Sequence, residues 1–301
     1  MQIPPDLLVC PLNVSEGRRL VAVVSIALAA GRPGVQLLDV HTDADHNRSV
    51  LTLAGRAEAL VDGLVAAAST AAQMIDLRTH EGVHPRLGAI DVIPFVPVSA
   101  DPAAMSTAVA AARDAARRIA GEVGIACFLY EEAGYGRSLP EVRRRAFTEL
   151  APDFGGPGPH PTAGAAAVGA RSPLVAYNVD LDSGDLALAR RIAASIRERD
   201  GGLAHVRALG LALPSRGTVQ VSTNLLRPAV TTIGAVFDAV AALAAGAGVG
   251  VKGSEIVGLT PRAALPESTA HLLLREPPKI LEAELARCMA SPGKETGTTK
   301  P

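Results

Sequence analysis

The sequence predicts an α/β (α+β) protein made of two ferredoxin-like βαββαβ subdomains. Strand and helix patterns follow the order β-α-β-β-α-β in the first half, and the same order returns in the second half. A segment rich in proline and glycine separates the two halves. Hydrophobic residues make up 48% of the 301 residues, which is enough to build a core in each half.

The first half holds four strand patterns and two helix patterns, followed by one more helix and strand. Short runs rich in Val, Ile and Leu indicate strands, and longer alanine-rich runs with helical spacing indicate helices. Gly31 and Pro33 end the first helix pattern, and Asp101 is a candidate N-cap for the third. The elements are strand 7–12, helix 15–30, strands 35–40 and 49–53, helix 56–75, strand 89–98, helix 102–123 and strand 125–130.

The second half repeats this order. Its elements are strand 174–179, helix 185–199, strands 204–212 and 218–223, helix 229–245 and strand 251–257. We therefore expect an N-terminal subdomain at residues 1–172 and a C-terminal subdomain at residues 173–288. The chain ends in SPGKETGTTKP, which offers nothing for a core, so we expect a disordered tail at residues 289–301.

The segment that joins the halves, residues 152–169, fits two interpretations. It is either an inert linker or a loop that borders a ligand site. A ferredoxin-like unit carries its helices on one face of the sheet, so its other face stays open. Two sheets that meet on their open faces leave a cleft, which is a common place for a binding site.

Composition excludes several classes of function. A formal net charge of -1 gives no basis for a nucleic-acid or anionic-membrane partner. The three cysteines are far apart, which fits a reducing compartment rather than a disulfide framework or a zinc site. The apolar run 233–251 contains Asp238 and several glycines, which favours a buried helix running into a strand over a membrane span. With no signal-peptide pattern at the N-terminus, we expect a soluble cytoplasmic protein.

The densest polar cluster is Arg78-Thr79-His80-Glu81-Gly82-Val83-His84-Pro85-Arg86. Pro85 restricts the backbone of His84, which sets the direction of the imidazole. A histidine with a pKa of about 6.5 takes and returns a proton near neutrality, so His84 is a candidate acid/base. The alternative is that His84 lies in a solvated loop without a catalytic role. His80 is either a solvated loop residue or a residue that supports the catalytic histidine.

A second cluster, His41-Thr42-Asp43-Ala44-Asp45-His46-Asn47-Arg48, joins two strands. Its alternating His and Asp residues fit a metal site, a loop that faces a substrate, or solvated turn residues. Arg48 is a candidate partner for a carboxylate, since its planar fork binds such groups through two hydrogen bonds.

A third cluster, Asn13-Val14-Ser15-Glu16-Gly17-Arg18-Arg19, lies at a strand-to-helix turn. Ser15 and Glu16 fit the role of helix caps. Alternatively, the amides that start the helix bind an anionic group beside Asn13. The sequence leaves these two interpretations equal.

Taken in order, these clusters and several others resemble the formiminotransferase family. The match spans residues 8–265, and motifs in a fixed order are more specific than any single motif. The matching motifs are Asn13-Val14-Ser15-Glu16-Gly17-Arg18, Leu38-Asp39-Val40, Asp45-His46-Asn47-Arg48-Ser49-Val50, Ile75-Asp76-Leu77, His84-Pro85-Arg86-Leu87-Gly88-Ala89-Ile90-Asp91-Val92-Ile93-Pro94-Phe95, Pro152-Asp153-Phe154-Gly155, Val168-Gly169-Ala170-Arg171, Ala176-Tyr177-Asn178-Val179, Val219-Gln220-Val221-Ser222 and Gly253-Ser254-Glu255-Ile256-Val257-Gly258-Leu259.

This resemblance implies two subdomains whose sheets face each other across a ligand tunnel. It also implies transfer of the formimino group of N-formimino-L-glutamate to N5 of tetrahydrofolate, the co-substrate, with His84 as the acid/base and no metal. The small molecules are then the partners, and a protein of this size commonly forms a homodimer. The residues we expect to bind the co-substrate are Asn13, Ser15, Glu16, Asn47, Arg48, His80, Arg86, Asp91 and Arg171.

The chain departs from the family pattern at three places. Val83 stands where the family commonly has Glu before the His-Pro-Arg motif. Pro11-Leu12 stand where the family commonly has Val-Pro before the Asn. His41 stands where some members have an acidic residue. The length leaves no room for a fused cyclodeaminase domain, so a stand-alone transferase is expected. The alternatives are formyl transfer, a non-catalytic folate-binding or regulatory protein, and a metal-dependent hydrolase that uses the 41–48 cluster.

Overall fold

The computed structural model describes residues 3–290, with side-chain burial for residues 3–288. Within them lie a six-stranded sheet, a four-stranded sheet and a short two-stranded pairing. The last strand of the first sheet ends at Ala170, and the first strand of the second sheet begins at Val175. The two main sheets therefore divide the chain into the two subdomains expected from the repeated pattern.

The first sheet contains a ferredoxin-like unit with two added strands. In chain order its elements are β1 (Leu7–Val14), α1 (Leu20–Ala30), β2 (Val35–Asp43), β3 (Arg48–Arg56), α2 (Ala57–Met74), β4 (Ile90–Pro97), α3 (Ala103–Arg118), β5 (Ala126–Glu131), α4 (Leu139–Arg145) and β6 (Ala165–Ala170). The strand order is β2-β3-β1-β4-β6-β5, with β4, β6 and β5 parallel. The first four strands are antiparallel and have the order of a split βαβ fold.

The second sheet repeats that order without the added strands. Its elements are β7 (Val175–Leu181), α5 (Leu186–Ile196), β8 (Val206–Leu213), β9 (Thr218–Leu225), α6 (Ile233–Gly246) and β10 (Val251–Ile256), arranged as β10-β7-β9-β8. The chain then forms β11 (Leu259–Thr260), β12 (Lys279–Ile280) and α7 (Leu281–Ala290). The two ferredoxin-like subdomains predicted from the sequence are confirmed.

Alternation along the strands decides which face meets the helices. In β1, Leu8 and Leu12 are fully buried in a core cluster with α1, α2 and α3, while Val9 and Pro11 point the opposite way into a cavity. In β7, Tyr177 and Val179 join the core with α5 and α6. Each sheet therefore has one face covered by the helices of its own repeat and one face that lines the cavity, and α4 and α7 also pack on that second face of the first sheet.

Two predicted boundaries at the first helix and the first hairpin are wrong. The helix begins at Leu20 rather than at residue 15, because the Glu16 carboxylate accepts the backbone N–H groups of Arg18 and Arg19 at 3.0 and 2.9 Å. These bonds form a turn in place of a first helical turn. The polar stretch 41–48 is also shorter than a loop of eight residues, since β2 runs to Asp43 and β3 starts at Arg48.

The joining segment is the larger difference from the sequence prediction. Its last residues form β6, a fully buried strand between β4 and β5, so this part is neither a linker nor a loop. The helices α4 and α7 are also additional to the predicted elements. The predicted tail begins inside α7, and residues 291–301 lie outside the described residues.

The apolar run 233–251 is a helix followed by a strand, as predicted. Ile233, Val236 and Val240 of α6 are fully buried against the second sheet, and β10 begins at Val251. Within residues 3–290, no helix combines the length and the apolar character needed to cross a membrane.

Candidate functional site

A cavity of about 830 Å³ lies between the two sheets. Its walls are mainly aliphatic and come from both subdomains: Val9, Pro11, Val50, Val92, Pro94 and Val96 from the first, and Leu174, Ala176, Val206, Ala208, Leu209 and Val257 from the second. A cavity of this size with apolar walls accommodates an organic ligand of several rings.

Arginine side chains give the same cavity a positive character. The set is Arg48, Arg143, Arg144, Arg171, Arg197, Arg199 and Arg207. Arg207 pairs with Glu131 at 3.1 Å, and Arg171 donates to the carbonyl oxygen of Ser172 at 3.0 Å. Guanidinium groups bind carboxylates through paired hydrogen bonds. The cavity therefore suits a ligand that carries carboxylate groups.

His84 lies in the wall, on the loop between α2 and β4. Its Nδ1 is 2.8 Å from the carbonyl oxygen of Pro85 and 3.1 Å from Nη1 of Arg48. A carbonyl oxygen only accepts a hydrogen bond and a guanidinium only donates one. Nδ1 either carries a proton and donates to Pro85 or has a lone pair and accepts from Arg48, so it satisfies one of them at a time. When Nδ1–H donates to Pro85, Nε2 keeps its lone pair. Nε2 then has no hydrogen-bond partner among the described residues and is the atom able to take a proton from a ligand.

An ion-pair network behind His84 ties three elements together. Asp91 of β4 is fully buried, and its Oδ2 accepts from Arg48 of β3 at 2.6 Å and from Arg143 of α4 at 2.5 Å. Its Oδ1 accepts the backbone N–H of Leu87 at 2.6 Å. Burial raises the pKa of Asp91, but Arg143 and Arg48 outweigh this effect and lower the pKa to about 2. The ionised carboxylate thus holds both cations beside His84.

These surroundings keep His84 neutral. Its pKa lies well below the ordinary value of 6.5, first because burial disfavours the imidazolium and then because Arg48 and Arg143 are close. Asp91 offsets part of the shift. An imidazole with a lowered pKa is unprotonated at neutral pH, so His84 is available as a base.

Arg86 and His80 support the loop that carries His84. Nη2 of Arg86 donates to the carbonyl oxygen of His84 at 3.0 Å, and Nη1 of Arg86 contacts Nδ1 of His80. Burial and then Arg86 lower the pKa of His80. Neither residue lines the cavity. Their contacts fix the backbone of the loop.

Asn47 and Ser15 connect the neighbouring turns to this loop. Asn47 has a left-handed backbone (φ 46°), and its side chain accepts from the N–H of Gly17 at 2.9 Å and donates to the carbonyl of Glu81 at 2.8 Å. The hydroxyl of Ser15 donates to the carbonyl of Gly88 at 2.7 Å. Three separate loops are thus bound into one rigid rim beside His84.

The structure therefore separates the ten predicted site residues into two groups. Those that line the cavity are Asn13, Arg48, His84 and Arg171. Those that lie behind its wall are Ser15, Glu16, Asn47, His80, Arg86 and Asp91.

Arg143 is a site residue that the sequence patterns do not predict, because it lies on α4, which is not among the predicted elements. The signal was present: Ser138 and Glu141 have the spacing of a capping box, with Pro140 in the first turn. The backbone N–H of Glu141 indeed donates to the Ser138 hydroxyl at 3.4 Å.

The 41–48 cluster faces the cavity with His41, Asp43, His46 and Arg48. Asp45 instead accepts from the hydroxyl and the backbone N–H of Ser215 at 2.5 and 3.0 Å, which joins the two subdomains. Among the residues that the structure describes, no three His, Cys, Asp or Glu side chains are grouped so as to hold a metal ion.

Two ferredoxin-like subdomains that enclose a neutral imidazole and a set of guanidinium groups define a class of protein. Such a site is suited to bind an anionic small molecule and to exchange a proton with it. The chain belongs to the formiminotransferase family. The family model for the N-terminal subdomain of the formiminotransferase domain matches residues 7–171, and a second model of the formiminotransferase domain matches residues 176–289.

Relatives in other organisms agree with this assignment. A glutamate formimidoyltransferase of Streptococcus pyogenes is 38% identical over 277 residues, covering 88% of this chain and 92% of that protein. One of Thermoplasma acidophilum is 40% identical over 283 residues, covering 89% of this chain and 92% of that protein. A formimidoyltransferase-cyclodeaminase of Gallus gallus is 37% identical over 297 residues, covering 92% of this chain but 54% of that longer protein.

Proposed function

We propose that this protein is a glutamate formimidoyltransferase, which moves the formimino group of N-formimino-L-glutamate to N5 of tetrahydrofolate. The observation that carries the proposal is a neutral His84 in the cavity wall, in a chain of the formiminotransferase family. Two relatives that bear the name glutamate formimidoyltransferase, at 38% and 40% identity over most of their length, support the same reaction.

The character of the cavity lining supports both substrates. Tetrahydrofolate combines a flat ring system with a tail that ends in carboxylates, and the aliphatic walls and the arginines suit these two parts. Arg171, Arg197 and Arg207 are the cations we assign to carboxylates. Arg48 is paired with the fully buried Asp91 beside His84, and Arg86 does not line the cavity, so we assign both a positioning role at His84.

His84 acts as general base and then as general acid. Its Nε2 accepts the proton that N5 of the folate loses as N5 bonds to the formimino carbon. The same atom returns a proton to the glutamate nitrogen as the old carbon–nitrogen bond breaks. Proton transfer by a positioned side chain contributes about 10²- to 10⁴-fold to a rate.

We place this activity in the cytoplasm, in histidine catabolism and folate one-carbon metabolism, and we expect a homodimer. The net charge of -1 supports small-molecule partners rather than nucleic acid or an anionic membrane. An exposed apolar face on α1 supports the dimer.

Replacing His84 by Ala tests the assignment. We expect kcat for formation of 5-formimino-tetrahydrofolate to fall at least about 10²-fold, with the KM of each substrate changed by less than about threefold. His271→Ala is the matched control, since His271 lies at the surface outside the cavity and should leave kcat unchanged.

Turnover by the unaltered protein decides between the alternatives. Formation of product with His84→Ala still fully active would remove His84 from the reaction. Binding of a tetrahydrofolate analogue without any turnover would favour a folate-binding protein instead. Product from N-formyl-L-glutamate but not from the formimino donor would favour formyl transfer.

A further inference from the structure

Glu131, the last residue of β5, has a backbone conformation that glycine normally occupies. Its φ is 49° and its ψ is -134°. A residue with a Cβ is strained in this conformation, whereas glycine adopts it in tight turns at little cost. The backbone N–H of Glu131 donates to the carbonyl of Arg137 at 2.7 Å, and the carbonyl of Glu131 accepts from the N–H of Gly136 at 2.8 Å. These bonds hold the strained turn closed, and strain of this kind is concentrated at functional sites.

The turn redirects the side chain of Glu131. Along β5, Leu129 packs in the core under the helices, while Tyr130 lines the cavity. Alternation alone would therefore send the next side chain toward the helices. Oε1 of Glu131 instead lies 3.1 Å from Nη2 of Arg207 on β8. The strained backbone thus places a carboxylate of the first subdomain against a cation of the second.

The guanidinium of Arg207 lies between Glu131 and the cavity. Arg207 lines the cavity and Glu131 does not. The contact with Glu131 occupies one N–H of a group that carries five, so donors remain for a ligand. An arginine without a partner samples many rotamers, and fixing it when a ligand binds lowers the affinity. The pair with Glu131 fixes Arg207 before the ligand arrives.

The negative charge of Glu131 repels a bound carboxylate only weakly. The side chain of Glu131 is 28% exposed, so solvent screens its charge, and the guanidinium stands between it and the cavity. The order that the pair gives to Arg207 is lost completely when the pair is broken. We therefore expect Glu131 to raise the affinity of the cavity for a carboxylate.

The register of the first sheet places this pair far from His84. Through Ala170 of β6, Glu131 is level with Phe95 of β4. Asp91, which anchors the ion-pair network beside His84, lies four residues before Phe95, or about 13 Å along the strand. The carboxylates of the formimino donor lie a few bonds from the reacting carbon, whereas the tail of tetrahydrofolate carries its carboxylates beyond an aminobenzoyl group. The pair therefore suits the tail.

We infer that Glu131 is a positioning residue, which holds Arg207 in place for a carboxylate of the tetrahydrofolate tail. This inference rests on the proposed function. Glu131 itself makes no contact with the ligand and acts through Arg207. The strained backbone at the end of β5 is then the cost of aiming the Glu131 carboxylate at its partner in the second subdomain.

A double-mutant cycle tests the inference. We expect Glu131→Gln to raise the Kd of 5-formyl-tetrahydrofolate, measured by calorimetry with the whole protein, about three- to fivefold. Arg207→Gln should raise it about tenfold or more, because this substitution removes the contact with the ligand itself. The combined variant should bind as weakly as Arg207→Gln alone, within about twofold, because Glu131 acts through Arg207.

Steady-state kinetics separate positioning from a general loss of structure. In Glu131→Gln the KM for tetrahydrofolate should rise about three- to fivefold, while kcat and the KM for N-formimino-L-glutamate stay within about twofold. Glu132→Gln is the matched control. It makes the same change one position further on, at an exposed residue outside the cavity lining, and should leave all three constants unchanged.

Glu131→Gly covers a failure of Glu131→Gln to fold. Glycine accepts the backbone conformation without strain, so this variant should lose the same affinity with a thermal midpoint at least as high as that of Glu131→Gln. Unchanged or tighter folate binding in the folded variants would overturn the inference, and so would a loss that persists in full without Arg207. A rise in the KM of both substrates would also overturn it, since the pair would then only hold the subdomains together. No turnover by the unaltered protein would instead overturn the proposed function, and the binding cycle would still test Glu131.

Discussion

Besides burial, residues from elsewhere in the chain keep His84 unprotonated. Arg48 lies on β3, Asp91 on β4 and Arg143 on α4, and they form one buried network beside the imidazole. Two guanidinium groups against one carboxylate leave a net positive charge there, which disfavours an imidazolium. Burial is the first cause of the low pKa of His84, and the network adds to it without contacting the atom that takes the proton.

Removal of Arg143 should move the acid limb of the pH profile. Arg143→Gln takes away a cation that lowers the pKa of His84, so that pKa rises. A larger fraction of His84 is then protonated at any pH below neutrality, and kcat/KM begins to fall at a higher pH than in the unaltered protein. At pH 6 we expect a loss of about tenfold, against about threefold at pH 8, measured as kcat/KM across pH 5–9.

Arg144→Gln provides the control at the next position of α4. Arg144 also lines the cavity, but within residues 3–290 it has no contact with Asp91 or His84 of the kind that Arg143 makes. Its loss should leave the acid limb where it is. An acid limb that moves equally in both variants would mean that general charge, rather than the network, sets the pKa of His84.

How far the sequence predicts the site depends on how local the signal is. His84 stands out because Pro85 follows it and polar residues surround it, and the structure places it in the cavity wall. Asp91 lies in an otherwise apolar strand, and nothing nearby shows that Arg143, 52 positions later, is its partner. Such pairings come from tertiary packing, which local patterns do not reveal.

At the scale of elements, the sequence predicts strands of ordinary composition correctly but does not predict a strand of unusual composition. The strands β1 to β4 have Val- and Leu-rich sequences, and they lie where the sequence predicts them, with small differences at the ends. The strand β6, Ala165–Ala170, is made mostly of alanine, which has a low β-propensity. It is a strand because β4 and β5 pair with it on both sides and bury it completely.

Close contact between α1 and α2 requires a glycine, which gives a prediction about stability. A Cβ at Gly63 would lie 2.5 Å from the carbonyl oxygen of Ala30 and 3.3 Å from Cγ2 of Val35. Gly63→Ala should therefore push the helices apart and lower the free energy of unfolding by about 1–3 kcal/mol. The measurement is denaturant unfolding at equilibrium.

Gly121→Ala is the matched substitution, since a Cβ there meets nothing within 4 Å. Its free energy of unfolding should be unchanged or slightly higher, because alanine reduces the entropy of the unfolded chain. Equal destabilisation by both substitutions would show that the contact with Ala30 is not the cause.

At the scale of the whole molecule, both subdomains are needed to form the cavity. Asp45 of the first subdomain accepts from Ser215 of the second, and Glu131 pairs with Arg207 at 3.1 Å. The repeat of one ferredoxin-like unit therefore provides a cavity between the two units in addition to a hydrophobic core in each. It brings two free sheet faces together, with the base on one side and the carboxylate Glu255 on the other.

The outer surface of α1 leads to a prediction about assembly. Leu20, Val21, Val24 and Leu28 are 62%, 75%, 54% and 74% exposed, and their spacing places them on one side of a helix that contains no charged residue. An apolar face of this kind is typical of an interface, and two copies related by a twofold axis would meet there without charge repulsion. We therefore expect a homodimer in sedimentation velocity at micromolar concentration. Val21→Asp combined with Leu28→Asp should yield a folded monomer, whereas Leu243→Asp on α6 should remain dimeric; a double variant that stays dimeric would place the interface elsewhere.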